Sequence, residues 1–270
     1  MDNRPIGVFD SGLGGLTAVR RLEKLLPQER IVYFGDTGRV PYGNRGEDVI
    51  TRYAAQDCRF LLSQDVKMII AACGTVSSVA PQVLTSLPVP GFGVVEPTAK
   101  AAVAATKNGK IGIIGTAATV KSGSYAKAIA ALAPEATVFG RECPLFVPLV
   151  ENGWIGEDDA VAALTVERYL QPLKEQGIDT LILGCTHFPL LIPHIRAYLG
   201  EGVALISAGD EAAKACATAL TEADALADPS QTGETAFYVS DKSQNFAAVA
   251  EIFLGRPAAE HIHRVDIDSL

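Results

Sequence analysis

The stretch IGVFDSGLGGLTAVRRLEKLLPQERIVYF, residues 6–34, reads as a strand, a glycine-rich turn, a helix and a second strand. Residues 6–9 and 31–34 are short apolar runs, rich in β-branched and aromatic residues, with the length and continuity of strands covered on both faces. Between them Leu16, Val19, Leu22, Leu25 and Leu26 fall on one helical face, while Arg20, Arg21 and Lys24 lie elsewhere. Pro27 then stops the helix, since it lacks the N–H that the next turn needs. Similar runs recur at 68–72, 92–95, 111–114, 181–183, 203–206 and 237–239, with helical patterns between them. This alternation predicts an α/β protein with mainly parallel sheets, whose reactive groups sit at strand ends.

Two of these runs have internal echoes. Residues 6–11 (Ile-Gly-Val-Phe-Asp-Ser) resemble residues 111–116 (Ile-Gly-Ile-Ile-Gly-Thr), 105 positions later. Residues 68–73 (Met-Ile-Ile-Ala-Ala-Cys) resemble residues 180–185 (Thr-Leu-Ile-Leu-Gly-Cys), 112 positions later. Each pair places a polar or thiol group directly after a buried strand. The spacing predicts two pseudo-symmetric α/β domains facing each other across a cleft, each contributing one strand-end cysteine. Apolar runs carry little information, and coincidence is the competing explanation of the repeat. The strand and helix around 237–254 have no counterpart at the end of the first half, and we expect them to return to the first lobe. The predicted division is therefore 1–96 with 207–270 for a discontinuous first domain, and 97–206 for the second.

Composition narrows the function. A chain of 270 residues, 48% hydrophobic and 20% charged, can bury one large core or two modest ones. The net charge of -8 is spread along the chain, and no cluster of basic residues offers a nucleic-acid footprint. No apolar signal segment follows Met1, and no apolar run approaches the roughly 18 to 20 residues that span a bilayer. The expectation is a cytoplasmic protein without nucleic-acid or membrane partners. The five cysteines are odd in number and form no CxxC pair, which points to free thiols. Cys58, Cys143 and Cys216 read as small apolar packing residues.

The other two cysteines sit where chemistry is expected. Cys73 opens Cys-Gly-Thr-Val-Ser-Ser at a strand end, where a starting helix offers free N–H groups to a thiolate. Cys185 opens Cys-Thr-His-Phe-Pro, with Thr186 and His187 able to donate hydrogen bonds or a proton. Cysteine is also common at buried strand ends for packing alone, but that reading leaves the matched contexts unexplained. Opposed thiols suit inversion of an α-carbon: one takes the α-proton from one face while the other returns a proton to the opposite face. An ordinary thiol, with a pKa of about 8.5, lies close enough to neutrality to serve as acid and as base. The carbanion-like state then needs fixed donors and little water.

Several loops are candidates to supply such donors. Asp10-Ser11-Gly12-Leu13-Gly14-Gly15 joins the first strand to the first helix and reads as an anion- or amine-binding loop. It fails the dinucleotide pattern, because GxGxxG from Gly12 would need glycine at Thr17. Pro41-Tyr42-Gly43 is a turn that can present a tyrosine hydroxyl and backbone amides to the cleft, or serve as an ordinary turn. Thr116 and Thr119 can cap the following helix or bind a carboxylate.

Taken together, Asp10-Ser11-Gly12, Pro41-Tyr42-Gly43, Cys73 with Thr75, Thr116 with Thr119, Glu151-Asn152-Gly153-Trp154 and Gly184-Cys185-Thr186-His187-Phe188 resemble the glutamate-specific branch of the aspartate/glutamate racemase superfamily. The match runs in order across most of the chain. The resemblance implies two α/β domains with the active site between them, L- and D-glutamate as substrates, no cofactor, D-glutamate supplied to peptidoglycan synthesis, and a homodimer. It implies Cys73 and Cys185 as the acid/base pair, with Asp10, His187 and Glu151 assisting. Cys73 would deprotonate the D enantiomer and Cys185 the L enantiomer. Substrate contacts would come from Asp10, Ser11, Tyr42, Gly43, Thr75, Thr119 and Thr186, with Pro41, Gly74 and Thr116 beside them.

One position departs from the pattern. The superfamily branch usually carries Asn after the first cysteine, where this chain has Gly74, so a side-chain amide near the substrate is missing. Aspartate racemization is the nearest alternative, since one methylene is worth only about 1 to 3 kcal/mol of discrimination. A Cys185–His187 hydrolase would leave Cys73 without a role. A two-lobed amino-acid-binding protein would tolerate loss of both thiols. A zinc site would need four ligands, and closely spaced pairs are absent.

Overall fold

A computed structural model describes residues 1–242, 246–257 and 262–269. Ten strands form: β1 (Ile6–Asp10), β2 (Ile31–Gly35), β3 (Met68–Ala71), β4 (Gly91–Gly93), β5 (Lys110–Gly115), β6 (Thr137–Glu142), β7 (Thr180–Leu183), β8 (Ala204–Ser207), β9 (Thr235–Val239) and β10 (Ile262–Arg264). They make a six-stranded sheet, β10-β9-β2-β1-β3-β4, and a four-stranded sheet, β6-β5-β7-β8. Every pairing between them is parallel. The order accounts for the sequence repeat. β1 lies between β2 and β3, with Ile6 opposite Ile31 and Met68, and β5 lies between β6 and β7, with Ile111 opposite Val138 and Thr180. The echoing segments are thus the adjacent inner pair β1 and β3 in the larger sheet and the inner pair β5 and β7 in the smaller one.

Alternate residues of these strands enter different cores. Val8 and Ile70 belong to one cluster, while Phe9, Ile69 and Ala71 belong to another on the opposite face of the first sheet. In the second sheet Leu181 and Leu183 point one way, while Ile111, Ile113 and Ile182 point the other. Both faces are covered, which is why these strands read as continuous apolar runs rather than alternating ones. The helix Leu16–Leu25 buries Leu16, Ala18, Val19 and Leu22, on the face its spacing predicts. The chain then returns as expected, since β9 pairs with β2 and completes the larger sheet.

Three details differ from the sequence reading. Of residues 92–95 only Phe92 and Gly93 lie in a strand, and Val95 already opens the helix Val95–Ala105. β6 and β10 were not expected. Both lie at sheet edges and carry polar or charged residues with partial burial, so neither presents an apolar run. Cys58, Cys143 and Cys216 are buried free thiols. Among the described residues no helix is long and apolar enough to cross a membrane.

The lobes are also tied together behind the strands. The helix Ala208–Glu222 leaves β8 of the smaller sheet and packs on the helix Leu16–Leu25, and a Cβ at Gly209 would lie 3.3 Å from that of Ala18. Ser207 caps this helix by accepting from the Asp210 N–H at 3.4 Å. The strand ends of both sheets consequently open onto one space.

Candidate active site

A cavity of about 380 Å³ lies at that junction, lined from one side by Asp10, Ser11, Cys73 and Thr75 and from the other by Thr116, Glu151, Cys185 and His187. Its size falls in the range of small-molecule sites. Cys73 stands directly between β3 and the helix Gly74–Val79, and its extended backbone turns the chain into that helix. Its sulfur lies 3.5 Å from the Ser11 hydroxyl. Burial, reinforced by the nearby Asp10 carboxylate, pushes the Cys73 thiol up to about 12. Burial therefore holds Cys73 as a thiol, ready to act as an acid.

Cys185 occupies the matching place after β7. Its sulfur is 3.7 Å from His187 Nδ1, and His187 Nε2 is 3.0 Å from Glu151 Oε1. Burial opposes a charge on this imidazole, but the hydrogen bonds to Cys185 and Glu151 outweigh it and raise the ring to about 10. The protonated ring then faces the sulfur that must be anionic at one stage of any proton shuttle. Thr186 Oγ1 lies 3.3 Å from the same Nδ1. Phe253 packs its ring edge-on against His187 with centroids 5.0 Å apart, so the returning C-terminal helix fixes the imidazole. Glu151 ends the helix Phe146–Glu151 and its side chain is 45% exposed, so the His187–Glu151 pair reaches solvent on this side.

Asp10, at the end of β1, is buried. Its Oδ2 accepts the Gly15 and Gly12 N–H groups at 3.0 and 3.3 Å. Burial raises this carboxyl, and His187 together with the loop N–H groups pulls the other way. Its Oδ1 has no hydrogen-bond partner among the described residues. A Cβ on Gly15 would come within 2.6 Å of the Asp10 Cβ, which explains the glycine in this tight loop. The buried Tyr33 hydroxyl donates to Gly12 O at 2.7 Å and fixes the loop from below, a support no motif revealed.

The Pro41–Gly43 turn reaches the cavity, but Tyr42 does so differently from the sequence reading. Its ring is buried, and its hydroxyl points inward to Asp36 and to Asp57, 3.2 Å away, instead of presenting itself to the cleft. Arg39 bridges the same two carboxylates at 2.6 and 3.1 Å. Two buried acids share one arginine, and burial with the neighbouring Asp36 charge raises Asp57 well above the carboxylate range. Tyr42 thus anchors the turn from behind and offers the cavity its backbone. Tyr42→Phe is expected to raise KM for either enantiomer about three- to tenfold, the worth of one net hydrogen bond, with kcat nearly unchanged. Steady-state kinetics in both directions checks this.

The threonines divide by role. Thr75 and Thr116 meet across the cleft, their hydroxyls 3.0 Å apart. Thr116 is also the N-cap of the helix Ala117–Ser122, accepting the Thr119 N–H at 3.3 Å. Thr119 is buried behind Thr116, outside the cavity lining, and hydrogen-bonds to the Thr116 hydroxyl at 3.1 Å. Gly74 lines the cavity between the two lobes. Sequence reasoning missed an apolar wall of Val40, Val147 and Pro148, and it missed Cys143, whose buried thiol is pushed far above its ordinary range. These residues carry no polar signature by which to find them. Among the described residues no group of three His, Cys, Asp or Glu side chains gathers as a metal site.

Two α/β lobes that each place a strand-end cysteine on one small cavity form an arrangement suited to an α-carbon racemase. Comparison with known proteins places the chain in that class. Residues 15–216 match the Asp/Glu/Hydantoin racemase family, and the chain belongs to it. It is 43% identical to the glutamate racemase of Geobacter metallireducens over 98% of both chains. A glutamate racemase from Francisella tularensis, solved in complex with D-glutamate, superposes with a TM-score of 0.92 at 37% identity, covering 100% of both chains. That of Escherichia coli, solved with L-glutamate and an activator, has a TM-score of 0.77 at 28% identity, covering 97% of this chain and 98% of its own.

Proposed function

We propose that this enzyme interconverts L- and D-glutamate by proton transfer between Cys73 and Cys185, supplying D-glutamate for peptidoglycan synthesis. The observation that carries the reading is the placement of two thiols, one from each lobe, on a single cavity. In one direction a thiolate at one cysteine takes the α-proton, the electron pair stays on the α-carbon, and the opposite thiol gives its proton to the other face. The reverse reaction exchanges the roles. In this reading Asp10 Oδ1 and Ser11 hold the ammonium group. The Pro41–Gly43 backbone, Gly74, Thr75, Thr116 and Thr186 hold the carboxylates, and Thr119 acts through Thr116. His187 and Glu151 support the Cys185 face, and Asp10 the Cys73 face. The chemistry calls on no cofactor.

The lobes are proposed to act as two units, 1–96 with 207–270 and 97–206. The boundary near 96 falls within the helix Val95–Ala105, so one connection between them is helical. A cytoplasmic homodimer belongs to the same reading, supported by the family resemblance, and a light-scattering mass of twice the 28.4 kDa chain tests the dimer.

Circular dichroism of each enantiomer of glutamate, and separately of aspartate, with purified enzyme and no added cofactor tests the function. Glutamate is expected to reach a racemic mixture from either side, well ahead of aspartate. Failure of glutamate to invert from either side, with the protein folded, overturns the proposal.

A further inference from the structure

The two lobes touch along their bare backbones beside the cysteines. A Cβ added to Gly74, the residue after Cys73, would lie 2.1 Å from the carbonyl oxygen of Gly184, the residue before Cys185, and 3.8 Å from the Cys185 Cα. The first separation is far inside contact distance, and the obstructing atom is main chain at the end of a buried strand. No side-chain rotation relieves it. Gly74 has a helical place and a negative φ, so backbone conformation does not require glycine here. The requirement comes wholly from the approach of the other lobe. Two neighbouring contacts have the same character. A Cβ at Gly14 would meet Thr186 Oγ1 at 2.1 Å and His187 Nδ1 at 2.6 Å, and one at Gly43 would meet Thr116 Cβ at 2.9 Å. These two meet side chains, which can shift, whereas Gly74 meets backbone.

We infer that Gly74 sets the closest approach of the two lobes, and with it the separation of the two sulfurs across the substrate. In this chain, where position 74 packs against the Gly184 carbonyl, a side chain added there acts as a spacer between the strand ends that carry Cys73 and Cys185. Proton transfer is steep in distance, and a displacement of about 1 Å costs about 10²-fold in rate. The consequence is specific to a two-base reaction. With the lobes held apart, one cysteine still removes the α-proton on its own side, but the opposite thiol no longer reaches the carbanion. The proton, or a deuteron exchanged onto the same sulfur from solvent, returns to the face it left. Exchange without inversion then overtakes inversion.

The inference rests on the proposed racemase activity, and the experiment separates the two. Unsubstituted enzyme, Gly74→Ala, Gly74→Ser and Gly74→Asn are incubated with D- or L-glutamate in deuterium oxide. Inversion is followed by circular dichroism and α-proton loss by NMR. Gly46→Ala serves as control, since a Cβ there meets nothing within 4 Å. The expected result is a fall in kcat/KM for inversion of about 10²-fold in all three position-74 variants. The ratio of exchange to inversion should rise, and the thermal midpoint without substrate should match that of Gly46→Ala. A variant that fails to fold is set aside, and the folded variants decide. If a folded Gly74→Ala or Gly74→Asn enzyme inverts glutamate within threefold of the unsubstituted protein, or loses exchange and inversion equally, the inference is overturned. Absence of inversion in the unsubstituted enzyme instead overturns the proposed activity.

Discussion

Cys73→Ser and Cys185→Ser are each expected to lower inversion of glutamate by about 10²- to 10⁴-fold, the contribution of one positioned acid or base. The hydroxyl is too weak an acid to give up its proton readily and too strongly held to serve as base near neutrality. Neighbouring groups cannot rescue it, because His187 and Glu151 stand beside only one sulfur and Ser11 beside only the other. The two variants should differ in what they retain. If Cys185 serves the L enantiomer, Cys73→Ser still exchanges the α-proton of L-glutamate with deuterium oxide, without inversion, and leaves D-glutamate untouched. Cys185→Ser should show the opposite pattern. NMR of each enantiomer with each variant reads this directly. Exchange of both enantiomers by one variant would contradict the assignment of faces.

His187→Gln is expected to lower kcat/KM by about 10²- to 10³-fold, the loss associated with removing a preorganised donor. Glutamine keeps a hydrogen-bonding group of similar reach but cannot carry the charge. The folded ring titrates at about 10, above its ordinary 6.5, so the interactions of its charged form are complete below about 6.5. They are lost as pH rises through about 10. The stability difference between the parent and His187→Gln should therefore be widest below about pH 6.5 and shrink as pH approaches 10. Parent activity should decline on the same alkaline limb, and the variant should lack it. Denaturant unfolding and kcat/KM profiles across this range check both statements. An alkaline limb that persists unchanged in His187→Gln would assign it to another group.

Much of this architecture was legible before the structure. Val8, Phe9, Ile69 and Ile70 are apolar on consecutive positions because both sheet faces are covered, and that continuity marked the strands. The matched strand ends announced Cys73 and Cys185. The illegible parts have physical reasons. β6 and β10 are edge strands, whose partial burial places no demand for an apolar run. Tyr42 sat in a turn motif that said nothing of where its hydroxyl points, since Asp57, on the helix Glu47–Ser63, meets Asp36 and Arg39 of the preceding loop only in three dimensions. Phe253, the support of His187, is far along the chain in an ordinary apolar helix. Thr116 and Thr119 showed their capping relation in sequence, but only packing places the second behind the first. Gly74 read as a lost side chain, whereas the structure shows a close backbone approach in its place.

The most direct test of two thiols acting on opposite faces is the location of solvent deuterium early in the reaction. L-glutamate is incubated with the enzyme in deuterium oxide and stopped before a tenth has inverted, and deuterium at Cα is measured separately in the D product and the remaining L substrate. Cys73 and Cys185 acting as separate acid and base predict deuterium in nearly all of the product and almost none in the remaining substrate. Equal labelling of the two enantiomers would contradict the account, because it would mean that a single group removes and returns the proton.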